Sequence, residues 1–139
     1  MNKNFQVTIY TPHGKYLSAT ADYLSVKTSV SVIGVLPNHA PLISSLEICK
    51  LTIKMSDKTF VYAISGGIIN IKDGTDVVLL VDSIERKDEI DLARAKAAKD
   101  RAEARLKQNN AEIDMNRAKA ALARALNRIS VAEKWFIIN

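Results

Sequence analysis

The chain is poor in several residue types, and each shortage excludes something. It has one cysteine, Cys49, in 139 residues. An internal disulfide is therefore impossible, and a reducing compartment is expected. No histidine or basic cluster stands beside Cys49 to activate the thiol, so a buried structural role is expected. The two histidines, His13 and His39, fall in turn-like segments without partners at metal-ligand spacing, and no metal site is expected. No apolar run approaches the roughly 18 residues of a membrane-spanning helix. Met1-Asn2-Lys3-Asn4-Phe5 runs straight into strand-like alternation with no apolar h-region, so neither a secretory signal nor direct membrane insertion is expected. Gly66-Gly67 lacks the Lys and Ser/Thr of a phosphate loop. No catalytic constellation emerges, and the expected class is a non-catalytic protein that requires no cofactor.

Arginine is absent from the first 85 residues, and all seven arginines lie between Arg86 and Arg128. Residues 1–84 hold seven Lys against six acids, net +1; residues 85–139 hold six Lys and seven Arg against nine acids, net +4. The first part is rich in Val, Ile and Thr, which suit strands, and the second in Ala, Arg and Lys, which suit helix. A small β domain (1–84) followed by a helical appendage (85–139) is the expected organisation. The overall charge of +5 raises nucleic-acid binding. The excess is modest, it shares its helices with nine acids, and no aromatics are interleaved with it, so no nucleic-acid partner is expected.

In the first part, Phe5, Val7 and Ile9 alternate with polar positions in the period of a half-buried strand. Thr11-Pro12-His13-Gly14 reads as a turn. Strand-like runs follow at 16–19, 23–27 and 30–36, and the prolines of Pro37-Asn38-His39-Ala40-Pro41 force a constrained loop. Leu46 and Ile48 share one phase while Leu51, Ile53 and Met55 share the other, which predicts a bulge or strand break at Cys49-Lys50. Thr59 to Ile64 is a strong strand, Gly66-Gly67 marks a bulge or close backbone approach, and Asp73-Gly74 a hairpin. Val77 to Val81 is continuously apolar, which predicts a strand buried on both faces. Many short strands at this spacing argue for a β-sandwich or barrel.

From Asp88 the period becomes helical. Asp88 is expected to cap a first helix running to about Gln108, and Asn109-Asn110 to break it. The second helix carries a seam, Ala111, Met115, Ala118, Leu122, Ala125, Ile129, Ala132 and Phe136, at spacings of 4 and 3. The expected fold is α+β: a β-sandwich, then a C-terminal antiparallel two-helix hairpin. An Ala-rich seam buries little area, so the hairpin is expected to open readily. Arg117, Arg124 and Arg128 lie on one stripe of the second helix. Asp91, Arg94, Ala98, Arg101 and Arg105 lie with Lys87 on a comparable stripe of the first. Such stripes suit either a solvated basic face, an acidic protein partner or a polyphosphate ligand.

Gly34-Val35-Leu36-Pro37-Asn38-His39-Ala40-Pro41-Leu42 resembles the G-(I/V)-L-P-(G/N)-H-A-P-L signature of the ε subunits of bacterial F-type ATP synthases. Ser65-Gly66-Gly67 with its following strand is similar as well, and the order of strands then helices covers the chain. The resemblance implies a rotor subunit whose β domain clamps the γ subunit and the c-ring, with Val32, Gly34 and His39 in the rotor-facing loop. It implies that the helices inhibit ATP hydrolysis by extending toward the catalytic α and β subunits. It also implies a peripheral place on the cytoplasmic side of the cell membrane. Where the family commonly has acidic E-G-E-L-G, this chain has Val30-Ser31-Val32-Ile33-Gly34, so apolar contacts are expected to replace polar ones. Ile90-Asp91-Leu92-Ala93-Arg94-Ala95 matches the I/L-D-x-x-R-A motif of ε subunits that bind ATP when the hairpin is folded. By that resemblance, ATP is a regulatory ligand. Asp91 and Arg94 would hold the adenine and ribose region, Arg101, Arg117, Arg124 and Arg128 would face the phosphates, and Glu85 and Ala95 complete the set. A nucleotide-sensing module with little inhibitory role is the alternative.

Overall fold

Apolar alternation, interrupted by short turns, builds eight strands in the computed structural model, which describes residues 3–108 and 112–133. They are β1 (Phe5–Thr11), β2 (Gly14–Ala21), β3 (Tyr23–Lys27), β4 (Val32–Val35), β5 (Leu42–Met55), β6 (Lys58–Asp73), β7 (Asp76–Val81) and β8 (Ile84–Arg86). A single 3-10 turn at Lys87–Glu89 leads into helices α1 (Leu92–Lys107) and α2 (Glu112–Ala132). The strand order is β2-β1-β7-β6-β5-β3-β4, with β8 beside β6. Every pairing is antiparallel except β1 with β7. The sheet folds over on itself as a sandwich around Phe5, Ile9, Leu24, Leu51, Ile53, Ile64, Ile69, Ile71 and Leu79, all essentially inaccessible to solvent.

The fold-over depends on Gly66 and Gly67, whose φ angles of 99° and 145° suit only glycine. A Cβ on Gly67 would stand 2.0 Å from the Leu80 carbonyl oxygen, which confirms the expected close approach. Opposite this pair the chain bends at Asp82-Ser83. Strand β8 then keeps the register of β7 against β6, since Gly67 faces Val81 and Ile64 faces Ile84.

Three expectations need correction. Strand β5 runs unbroken through Cys49-Lys50 in constant register with β6, from Leu42 opposite Ile71 to Met55 opposite Lys58. The change of phase is a change of which face is covered: Leu46 is buried at one end, and Cys49, Leu51 and Ile53 at the other. A long twisted strand that serves both layers of a sandwich does this without a bulge. Strand β7 is buried on one face only. Leu80, on the outer side of the sheet, is 49% exposed. Finally, α1 is capped by Asp91, which accepts from the Arg94 amide at 3.1 Å, and not by Asp88. Asp88 instead lies in the 3-10 turn and pairs with the Arg86 guanidinium at 3.1 Å.

The helices pack as a hairpin through small residues: Ala118 and Ala125 of α2 are buried, as the seam predicted, and they meet a helix whose Ala95 and Ala102 are buried too. The expected break at Asn109-Asn110 and the seam ends Ala111 and Phe136 lie outside the described residues. Helix α2 rests on β5 and β6. Its Asn127 amide donates to the Cys49 carbonyl at 2.8 Å and to the Ile64 carbonyl at 3.3 Å. Cys49 is buried, as expected, and burial pushes its thiol pKa up.

Candidate functional site

Three elements meet where α1 leaves the sandwich. Strand β8 supplies Glu85. The turn of α1 capped by Asp91 supplies Arg94, Ala95 and, two turns on, Arg101. Helix α2 supplies Arg128. Positions 91, 94, 95, 98 and 101 share one face because a helix repeats every 3.6 residues. Together with Ser83, Glu89 and Ile90 they line a cavity of about 450 Å³, within the roughly 300–1,000 Å³ typical of small-molecule sites.

The charges of this cavity are unevenly committed. Arg128 Nε donates to Glu85 Oε1 at 2.5 Å, which ties α2 to the sandwich. Glu89 Oε1 accepts from the Tyr16 hydroxyl at 2.6 Å and from the Arg86 amide at 2.8 Å. These bonds, that from Tyr16 first, hold the Glu89 pKa below the usual carboxylate range. Burial, with Glu89 beside it, pushes the Tyr16 phenol well above its ordinary value. Tyr16 also stands edge-on to Tyr62, with ring centroids 6.2 Å apart. The linker as far as Glu89 is thus fastened to the sandwich. Arg94 and Arg101, by contrast, make no ion pair among the described residues. Two exposed, uncommitted guanidiniums facing one cavity suit a phosphate-bearing anion. No cluster of possible metal ligands occurs among the described residues.

The chain carries two matching family models end to end. Residues 4–87 match the ATP synthase delta/epsilon chain β-sandwich domain, and residues 88–133 match the ATP synthase delta/epsilon chain long α-helix domain. The chain belongs to the ATP synthase delta/epsilon chain family. The ATP synthase epsilon chain of Desulforamulus reducens is 41% identical over 133 residues, which cover 96% of this chain and all of that protein. That of Ligilactobacillus salivarius is 39% identical over 131 residues, 91% of this chain and 94% of the relative. A chain of the Euglena gracilis mitochondrial ATP synthase (OSCP/F1/c-ring) superposes with a TM-score of 0.84 at 21% identity, covering 95% of this chain and 82% of its own length. At that identity the likeness speaks for the fold.

Of the eight residues expected around a ligand in this family member, six line the cavity: Glu85, Asp91, Arg94, Ala95, Arg101 and Arg128. Arg124 lies one turn away on α2, in a tight crevice that shares Ser83 and Arg128 with the cavity. Arg117 is exposed and lies outside both. It stands eleven residues before Arg128, about 16 Å along the helix axis at 1.5 Å per residue. Lys87 lines a different groove. Ser83 and Glu89 were not singled out from the sequence as ligand-facing, whereas Ala98 belongs to the expected stripe of α1 and Ile90 to the motif. The placement of Ser83 follows from the β8 register, which no local pattern reports.

A second surface lies at the far end of the sandwich. The Thr28 hydroxyl accepts from the Val30 and Ser31 amides and donates to the Ser31 carbonyl, closing a tight turn. That turn projects Val30 outward at 87% exposure, with Val32 at 68%. Leu36 and Ile43 are exposed nearby. Gly34 packs against the Tyr23 ring, where a Cβ would approach the hydroxyl to 2.9 Å. Asn38 adopts a φ of 69°, and its amide donates to the Gly74 carbonyl at 2.9 Å. His39 Nδ1 lies 2.6 Å from the Ala40 carbonyl, so its ring braces the loop. On the outer face of the sheet, Tyr10, Leu80 and Ile68 lie side by side across β1, β7 and β6, all exposed.

Proposed function

We propose that this chain is a central-stalk subunit of an F-type ATP synthase, non-catalytic itself, whose helical hairpin restrains ATP hydrolysis and is held closed by ATP. The sandwich clamps the rotor. Its Val30-Val32-Leu36-Ile43 end suits an apolar face of the c-ring, and the Tyr10-Leu80-Ile68 row suits an apolar segment of the γ subunit. Removing such side chains from water is worth about 25 cal/mol per Å². The subunit is then peripheral to the membrane on the side of the catalytic head, in keeping with the absence among the described residues of any helix long and apolar enough to cross a bilayer.

One observation carries the regulatory part. The cavity that holds the uncommitted Arg94 and Arg101 has walls from the sandwich, α1 and α2, and it exists only while α2 lies back on β5 and β6. A ligand that needs all three walls stabilises the closed hairpin by its differential affinity for that state. ATP fits the chemistry. Arg101 and Arg128 offer guanidiniums to phosphate oxygens, Glu85 holds Arg128 in position, and the end of the cavity at Asp91 and Arg94 is left for ribose and base. When ATP leaves, the Ala-rich seam holds α2 weakly, and the helices extend toward the catalytic α and β subunits. The test is ATPase inhibition by the full chain and by a chain truncated before residue 88, each reconstituted with the other F1 subunits. Truncation is expected to abolish inhibition. Equal inhibition by both would overturn the reading.

A further inference from the structure

The bend at Asp82-Ser83 brings a hydroxyl to the wall of the cavity. Strand β8 buries Ile84 in the sandwich. Side chains alternate along an extended chain, so Ser83 and Glu85 fall on the opposite side, toward the helices. Glu85 meets Arg128 there, and Ser83 lines the cavity beside them. Ser83 also lines the tight crevice that holds Ser65, Arg124 and Arg128. It therefore stands where the arginines of α2 reach the sandwich.

The half-buried Ser83 is held from two sides. The Ser65 amide donates to the Ser83 carbonyl at 3.2 Å, and the neighbouring Asp82 amide donates to the Gly66 carbonyl at 3.1 Å. The Ser65 and Ser83 hydroxyl oxygens lie 2.6 Å apart, and either can donate to the other. Two hydroxyls carry two protons, and the bond between them uses one. With Ser65 as donor, Ser83 keeps its own proton for a third group. Among the described residues neither hydroxyl has a second hydrogen-bond partner.

We infer that Ser83 is a further binding residue of this cavity, whose hydroxyl donates to a phosphate oxygen of the bound nucleotide while Ser65 holds it in place. The inference rests on the nucleotide reading given above. Glu85 and Glu89 line the same cavity, and their charges oppose a phosphate. The Ser83 hydroxyl offers a donor there that is not tied to a carboxylate, whereas Arg128 already donates to Glu85. Ser65 does not line the cavity and acts through Ser83, so it is a positioning residue.

Calorimetric titration of the full chain with ATP tests this in Ser83→Ala and Ser65→Ala. Each substitution removes the same bond between the two hydroxyls, but only Ser83→Ala removes the hydroxyl at the cavity. Ser83→Ala is expected to weaken ATP binding about 10-fold or more, as for a hydrogen bond to a charged group, and Ser65→Ala less than about threefold. The loss in Ser83→Ala is expected to be the same with 2′,3′-dideoxy-ATP, which keeps the phosphates and lacks the ribose hydroxyls. Equal losses in the two variants, as a merely structural pair gives, or no loss in either, would overturn the inference. So would a loss that vanishes with the dideoxy nucleotide, which puts the contact on the ribose. Failure of the wild-type chain to bind ATP is a separate result, which overturns the nucleotide reading and the inference with it.

Discussion

Asn127→Ala tests how α2 is held down. The wild-type amide makes two hydrogen bonds to carbonyls of β5 and β6, one at 2.8 Å and one stretched to 3.3 Å. A net intramolecular hydrogen bond is worth about 1 kcal/mol, and the longer one counts for less, so their loss costs about 1.5 kcal/mol. At 1.4 kcal/mol per decade, that shifts the docking equilibrium of the hairpin roughly tenfold toward the open form. Apolar burial adds to this hold, since Ala118 and Ala125 each bury a methyl group and Val131 is fully buried, and the substitution leaves that part unchanged. Native-state hydrogen exchange reads the result directly. Amides of α2 are expected to exchange roughly tenfold faster, with those of β5 and β6 unchanged. Asn127→Asp, which sets a carboxylate against the same two carbonyls, is expected to act in the same direction and more strongly. Unchanged exchange in α2, or an equal rise in the strands, would refute the idea that this side chain clamps a separately opening hairpin.

Gly67→Ala is expected to destabilise the sandwich by roughly 3 kcal/mol or more, because the new Cβ would meet the Leu80 carbonyl oxygen at a φ of 145°. A denaturation midpoint close to wild type would show that the fold-over does not depend on it. Glu89 supplies a pH prediction. Its folded pKa is lowered by Tyr16 and by the Arg86 amide. The stability it contributes is therefore fully present above the unfolded value near pH 4.3 and is lost as the pH falls through the lower folded value. Glu89→Gln is expected to flatten this acid limb in denaturant titrations taken across the window, and a limb identical to wild type would contradict the Tyr16–Glu89 bond.

The sequence was most readable where the cause was local. The 3.6-residue repeat placed Asp91, Arg94, Ala98 and Arg101 on one face before any fold was known, and all four line the cavity. Gly66-Gly67 marked a close approach through φ angles that only glycine meets easily, and Asp73-Gly74 marked a turn, where a Cβ on Gly74 would meet the Asn38 backbone at 2.3 Å. Reading failed where a distant partner decided. Asp88 looked like the helix cap, yet Asp91 takes that place. The choice fell to Asp91 because Glu89, bonded to Tyr16 from 73 residues away, holds the preceding residues in a 3-10 turn. The apparent slip at Cys49 reflected a strand serving two layers, which local alternation cannot distinguish from a bulge. Arg117 shares a stripe with Arg128, but a stripe records direction around the helix and not distance along it.

The central claim is that the closed hairpin carries a nucleotide site built on Arg94 and Arg101, and calorimetric titration of the isolated chain with ATP tests it most directly. Saturable binding is predicted. Arg94→Ala and Arg101→Ala should each weaken it roughly 10- to 100-fold, the worth of a hydrogen bond to a charged group, while the fold stays intact. No heat at millimolar ATP, or affinities unchanged in both variants, would contradict the account.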